Sequence, residues 1–113
     1  MNILCICNQG ENRSRTTAEI LSALDKYEVK FDGFYKDKYN EDSKQREIFN
    51  PKNLEWANKI IVYEDVHEEL LKKYGYSFWG KSYNFDIEDM YHYNQKSLIM
   101  IIKTKLKHYE FYN

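Results

Sequence analysis

The run Ile3-Leu4-Cys5-Ile6 is apolar at every position and gives way directly to the polar segment Asn8 to Asn12, with Gly10 at its middle. An unbroken apolar run has no face to turn to water, so a strand built from it must be covered on both sides. Thr17, Leu21 and Leu24 then recur at helical spacing, and Ser14 is read as the N-cap of that helix. Strand, tight loop and helix in this order predict a parallel sheet between layers of helices, with the first strand at its centre.

The remainder of the chain continues the alternation. Val29, Phe31 and Gly33 alternate with Lys30 and Asp32, which predicts an edge strand over Glu28 to Tyr35. Lys36 to Glu47 is mostly charged and reads as a mobile surface loop. Asn50-Pro51 opens a short helix carrying Leu54, Trp56 and Ala57, and Ile60-Ile61-Val62-Tyr63 is the third strand. Asp65 and Glu68 resemble a capping box at the head of a helix that carries Val66, Leu70 and Leu71 and stops near Gly75. A fourth strand is expected over Tyr83 to Ile87, and Leu98, Ile102, Leu106 and Tyr109 form one face of a terminal helix. The expectation is one α/β domain over residues 1–113. It has a four-stranded parallel sheet with flavodoxin-like winding, flanked by helices on both faces. Ligands of such sheets sit at the carboxyl ends of the strands, where Cys7 to Ser14 and Asp86 to Tyr91 both open.

Charge and cysteine usage narrow the function classes. Seventeen basic residues stand against eighteen acidic ones, a net charge of −1, so no global positive field marks a duplex nucleic-acid binder. Any anion site must be local, and two of the three arginines, Arg13 and Arg15, lie in one short segment. The longest apolar run, Leu98 to Ile102, is five residues, far short of a membrane span. Cys5 and Cys7 are the two cysteines. They are read as reduced, with Cys5 a small core residue facing away from Cys7, and the setting as cytoplasmic.

Cys7-Asn8-Gln9-Gly10-Glu11-Asn12-Arg13-Ser14 is the segment that carries chemistry. A loop wound around a tetrahedral dianion turns its backbone N–H groups inward, and the helix behind it adds the positive end of its dipole. The guanidinium of Arg13 can grip two phosphoryl oxygens through parallel hydrogen bonds, which an ammonium cannot do. The same positive surroundings favour the thiolate of Cys7, so nucleophile and anion site become one structure. His67, His92 and His108 have no metal-ligand spacing and read as surface or capping residues, with His92 near enough to Tyr91 to reach a substrate.

Through "ILCICNQGENRSRTTAEIL", "LEWANKIIVYEDVHEELL" and "FDIEDMYHY" the chain resembles the low-molecular-weight protein tyrosine phosphatase family, most closely its short branch of predicted phosphatases. The resemblance implies that Cys7 is phosphorylated by the substrate, that Arg13 binds phosphate and the transition state, and that Ser14 hydrogen-bonds the thiolate. It further implies that Asn8, Gln9, Gly10, Glu11 and Asn12 wrap the phosphate. The family's acid lies in an Asp-Pro-aromatic loop. The match here is Asp89-Met90-Tyr91, with Asp89 as proton donor and Tyr91 as a wall of the pocket. Met90 stands where the family has proline, and Asp86 lies three residues upstream as the alternative acid. Arg15 replaces the proline after the arginine-serine pair, and Asn12 replaces a second cysteine beside the arginine.

The implied activity is phosphomonoester hydrolysis without metal or cofactor, on a phosphotyrosine protein or a small phosphomonoester. RNA ends and nucleotide phosphates stay open as substrates, and no membrane partner is expected. Arsenate reduction ranks lower, because it needs further thiols and Cys5 alone is available. The reading from a different class is a non-catalytic module that uses the same cradle to bind phosphorylated protein, nucleotide or RNA ends.

Overall fold

The structure of the chain, a computed structural model, describes residues 1–35 and 49–112. Strand β1 spans Asn2–Cys7, helix α1 Arg13–Ser22, β2 Glu28–Gly33, α2 Lys52–Trp56 and β3 Lys59–Val62. Helix α3 follows at Asp65–Tyr74, then α4 at Tyr76–Trp79, β4 at Ser82–Asn84 and α5 at Lys96–His108. The predicted loop from Lys36 to Glu47 lies outside the described residues.

The sheet runs β2-β1-β3-β4 with every pair parallel, so β1 is interior and β2 is an edge, as expected. The apolar run of β1 explains the layers. Ile3, Cys5 and Cys7 pack with Leu21 of α1 and with Leu98, Ile102 and Leu106 of α5. Leu4 and Ile6 pack on the opposite face with Leu54 of α2 and Leu71 of α3. Side chains of a strand alternate in direction, so residues two apart share a face. Cys5 and Cys7 therefore point the same way, which corrects the expectation that Cys5 faces away. Both thiols are free and buried. Desolvation pushes the Cys5 thiol well above its usual range, which keeps it protonated and inert.

Three local predictions are revised by the packing. Ser14 is not the N-cap, because α1 begins at Arg13 and Asn12 takes the cap position without a side-chain capping bond. Asp65 and Glu68 form no capping box. Glu64 is the N-cap, and both carboxylates instead accept from the amide Nδ2 of Asn84 at 3.0 Å, tying the head of α3 to β4. The fourth strand ends early because Asp86 takes a left-handed conformation, φ 53°, which breaks the pleat. Pairing nevertheless persists past it: the N–H groups of Phe85 and Ile87 donate to the carbonyls of Val62 and Tyr63, each at 2.9 Å. Among the described residues, no helix is long and apolar enough to cross a membrane.

Candidate active site

The loop between β1 and α1 is held from beneath by β2. Cys7 pairs with Gly33 in the sheet register, and the carbonyls of Cys7 and Asn8 accept from the N–H groups of Phe34 and Tyr35 at 3.0 and 2.8 Å. In a trans peptide the carbonyl and the following N–H point oppositely, so these bonds turn the N–H groups of Asn8 and Gln9 away from that segment. Gly10 adopts φ 71°, a left-handed turn that glycine takes without penalty. A Cβ on Gly33 would lie 2.3 Å from the carbonyl carbon of Gln9, so only glycine lets the strand end approach the loop this closely.

Five of the expected site residues, Cys7, Asn8, Arg13, Ser14 and Asp89, converge at the carboxyl edge of the sheet. Cys7 is buried at the end of β1, and its Sγ lies 3.0 Å from Oγ of Ser14, in the first turn of α1. The Ser14 hydroxyl also lies 3.4 Å from the carbonyl of Asp32, which fixes its position between strand end and sulfur. Arg13 enters the same region at 1 % exposure. Its Nη1 donates to Glu64 Oε2 at 2.9 Å and to the carbonyl of Ile87 at 2.6 Å, so one end of the guanidinium is anchored between the head of α3 and the chain beyond β4. Its Nε and Nη2 are buried, with no hydrogen-bond partner among the described residues. Asp89, 46 % exposed, places Oδ2 at 3.1 Å from Nδ2 of Asn8 and 3.7 Å from Nη2 of Arg13.

The remaining expected residues are more scattered. Gln9, Glu11 and Asn12 are half-buried along the loop, and Gly10 is buried. Tyr91 is half-buried and packs against the cluster on the α1 and α5 side of the sheet. Asp86 is exposed, its backbone N–H donating to Asn84 Oδ1 at 2.9 Å. His92 is exposed, with its backbone N–H bonded to Gln95.

His67 is where the sequence reading failed. It is fully buried in α3, not at the surface, and both ring nitrogens are engaged: Nδ1 with the N–H of Tyr63 at 3.1 Å and Nε2 with Oδ1 of Asn8 at 2.7 Å. Burial and the nearby Arg13 charge, partly opposed by Asp89, push its pKa down to about 4, so the ring is neutral. Its partners are a backbone amide four residues back and a loop residue far away in sequence, a pairing that no spacing rule signals. The position of His67 just after an apolar strand, at the head of a helix on the loop's edge of the sheet, was the one available hint.

The segment carrying Asp89 is docked on α1. The Tyr93 hydroxyl donates to the Glu19 carboxylate at 2.6 Å, Arg15 lies over the Tyr93 ring at 4.0 Å, and the N–H of Asn94 donates to Oγ1 of Thr16 at 3.0 Å. Arg15, which stands where the resemblance expects proline, thus helps to hold this segment.

A doubly wound parallel sheet with a cysteine-to-arginine loop at its switch point defines a class of α/β proteins. Within it, this chain has the fold of low-molecular-weight protein tyrosine phosphatases. It is similar to the tyrosine phosphatase Wzb from Escherichia coli K30 in complex with phosphate, with a TM-score of 0.73 at 18% identity, covering 96% of this chain and 94% of that one. It is similar also to the YwlE arginine phosphatase from Geobacillus stearothermophilus, with a TM-score of 0.67 at 15% identity, covering 99% of this chain and 97% of that one. A low-molecular-weight protein tyrosine phosphatase from T. tengcongensis gives 0.66 at 16% identity, with 93% of this chain and 92% of that one covered. No family profile matches the sequence, and no curated protein matches it.

Proposed function

We propose that the chain is a cysteine-dependent phosphomonoester hydrolase that acts on phosphorylated protein side chains, with phosphotyrosine as the preferred class. The observation that carries this reading is the guanidinium of Arg13. Its Nη1 is spent on Glu64 and Ile87, while the fork made by Nε and Nη2 is buried without a hydrogen bond among the described residues, Asp89 Oδ2 facing Nη2 only at 3.7 Å. Leaving charged donors unmatched in the interior costs free energy, and an oxyanion bound through two parallel hydrogen bonds relieves that cost.

In the first step the Cys7 thiolate attacks phosphorus in line. The sulfur–phosphorus bond forms as the bond to the leaving oxygen breaks, and that oxygen takes a proton from Asp89. In the second step the Asp89 carboxylate takes a proton from water. The oxygen attacks phosphorus and the sulfur leaves as thiolate, releasing inorganic phosphate. Loop amides from Asn8 to Asn12 and the Arg13 fork hold the equatorial oxygens throughout. Ser14, 3.0 Å from the sulfur, donates to the thiolate both as nucleophile and as leaving group. Tyr91 forms a wall of the cleft.

The test is a single-turnover reaction with phosphotyrosine and phosphoarginine peptides, followed by mass spectrometry of the acid-quenched protein. The reading expects a phosphate adduct on Cys7, turnover in chelator and none in Cys7→Ser. Stoichiometric binding without any adduct would instead mark a phosphate-binding module.

A further inference from the structure

His67, Asn8 and Asp89 form a chain of hydrogen bonds whose direction is set by a donor that cannot change. The backbone N–H of Tyr63, 3.1 Å from His67 Nδ1, can only donate, so Nδ1 is bare. A neutral imidazole with a bare Nδ1 carries its proton on Nε2, and the 2.7 Å contact to Asn8 therefore has the ring donating to Oδ1. With its oxygen committed to the histidine, the amide of Asn8 turns Nδ2 toward Asp89 and donates to Oδ2 at 3.1 Å. The other carboxylate beside the ring, Glu64, lies 3.6 Å from Nε2, beyond hydrogen-bond reach, and is taken up by Arg13 at 2.9 Å. The rings of Phe34 and Tyr63, with centroids 5.3 and 6.5 Å from that of His67, leave the imidazole little room to turn.

We propose that His67 is a positioning residue for the proton transfer: by locking the amide of Asn8 it presents the Asp89 carboxyl to the leaving oxygen above Cys7. The assignment rests on the reading of Asp89 as proton donor. Without the ring donor, no hydrogen bond among the described residues keeps Oδ1 of Asn8 turned inward. A flipped amide would set that oxygen against the Asp89 carboxylate, acceptor facing acceptor, and the exposed acid would swing out of register.

The role predicts a dependence on the leaving group, because an ester that departs readily needs little protonation and one that departs poorly needs it fully. His67→Phe keeps the ring and removes both nitrogens, whereas His67→Gln restores an N–H near the position of Nε2. For His67→Phe, kcat/KM on phenyl phosphate is expected to fall about 10- to 100-fold, and on 2,4-dinitrophenyl phosphate less than about threefold. Inhibition by inorganic phosphate should stay unchanged, and His67→Gln should recover most of the loss. An equal fall on both esters, a matching loss of phosphate affinity or no fall at all would overturn the role.

A second measurement needs no turnover. Nitrogen-detected NMR of the full chain should show the Nε2–H tautomer of His67, and the side-chain amide of Asn8 should shift in His67→Phe. An Nδ1–H tautomer or an unmoved Asn8 amide would overturn the hydrogen-bond chain by itself. Failure of the wild type on both esters would count against the proposed function instead, leaving the NMR result to decide the role of His67 in orienting Asn8 and Asp89.

Discussion

Gly33 at the end of β2 lies directly under Gln9, and a Cβ there would stand 2.3 Å from the carbonyl carbon and 2.6 Å from the backbone nitrogen of Gly10. Both obstacles are backbone, so neither can swing aside. Gly33→Ala is expected to push the loop off the strand end. The expected result is a stability loss of about 1–3 kcal/mol in denaturant titration and a larger fractional loss of phosphate binding. Gly10→Ala, strained by φ 71° and by a 2.9 Å approach to Asp32, should behave in the same direction. An alanine variant at Gly33 with native phosphate affinity would refute the idea that this contact shapes the loop.

The half-anchored guanidinium makes Arg13→Lys informative. An ammonium can replace the Nη1 bonds to Glu64 and Ile87, or it can face the loop, but it cannot present a planar fork while doing both. Fold should therefore survive while function does not. A lost pair of charge-assisted bonds corresponds to about 3–6 kcal/mol, so kcat/KM for an aryl phosphate should drop by roughly 10²–10⁴. Calorimetric titration with phosphate, alongside thermal melting, separates the two effects.

Much of this arrangement was legible in the sequence, for identifiable reasons. The apolar run at Ile3 to Ile6 forced a two-sided strand, and β1 is indeed interior with a helix layer on each face. The loop followed from the position of Gly10 and the cysteine-to-arginine spacing. Local rules failed where tertiary partners took over: Ser14 reads as a cap but is drawn inward to Cys7 and Asp32, and Asp65 and Glu68 serve Asn84 rather than their own helix. Helix α4 was missed because four residues between two glycines carry no periodicity. The face shared by Cys5 and Cys7 was legible all along, since residues two apart on a strand point the same way.

The two candidate acids are distinguished by what they face. Asp89 lies against Asn8 and Arg13, whereas the Asp86 backbone is turned back on Asn84 by its left-handed conformation. On the proposed mechanism Asp89→Asn should lower kcat by about 10²–10⁴ on a poor leaving group. It should also abolish the basic limb of the kcat/KM pH–rate profile, where activity falls as the proton donor ionises. Asp86→Asn should leave kcat within about twofold of the parent. The reverse pattern would transfer the role to Asp86.

The docking of the segment that carries Asp89 on α1 supplies a further measurement. Tyr93 spans Glu19 and Arg15, and its hydroxyl is held in the protonated form by hydrogen bonding to the Glu19 carboxylate. Tyr93→Phe keeps the ring under Arg15 but removes its bond to Glu19, which retains its ion pair with Arg15 at 3.5 Å. The expected outcome is a severalfold fall in kcat/KM with unchanged melting temperature, since a loop that must reorder on each turnover loses rate rather than global stability. A changed melting temperature with unchanged kcat/KM would mean that this contact only braces the fold.

The neutral, buried His67 also makes stability depend on pH in a defined window. The unfolded chain binds a proton on this ring near the ordinary value of 6.5, whereas the folded chain does so only near 4, because desolvation and Arg13 oppose the charge. The unfolded state thus holds more protons between those values, so stability is full above about pH 6.5 and is lost as pH falls toward 4, levelling off below. The full loss attributable to this residue is about 3 kcal/mol. Carboxylates titrate in the same range, so the measurement is a difference: denaturant titrations of wild type and His67→Phe at pH 7.5 and pH 4.5. The variant, though less stable at the higher pH, should lose less on acidification. Parallel losses in the two proteins would mean that His67 is protonated in the folded state, with its Nδ1 no longer available to the N–H of Tyr63.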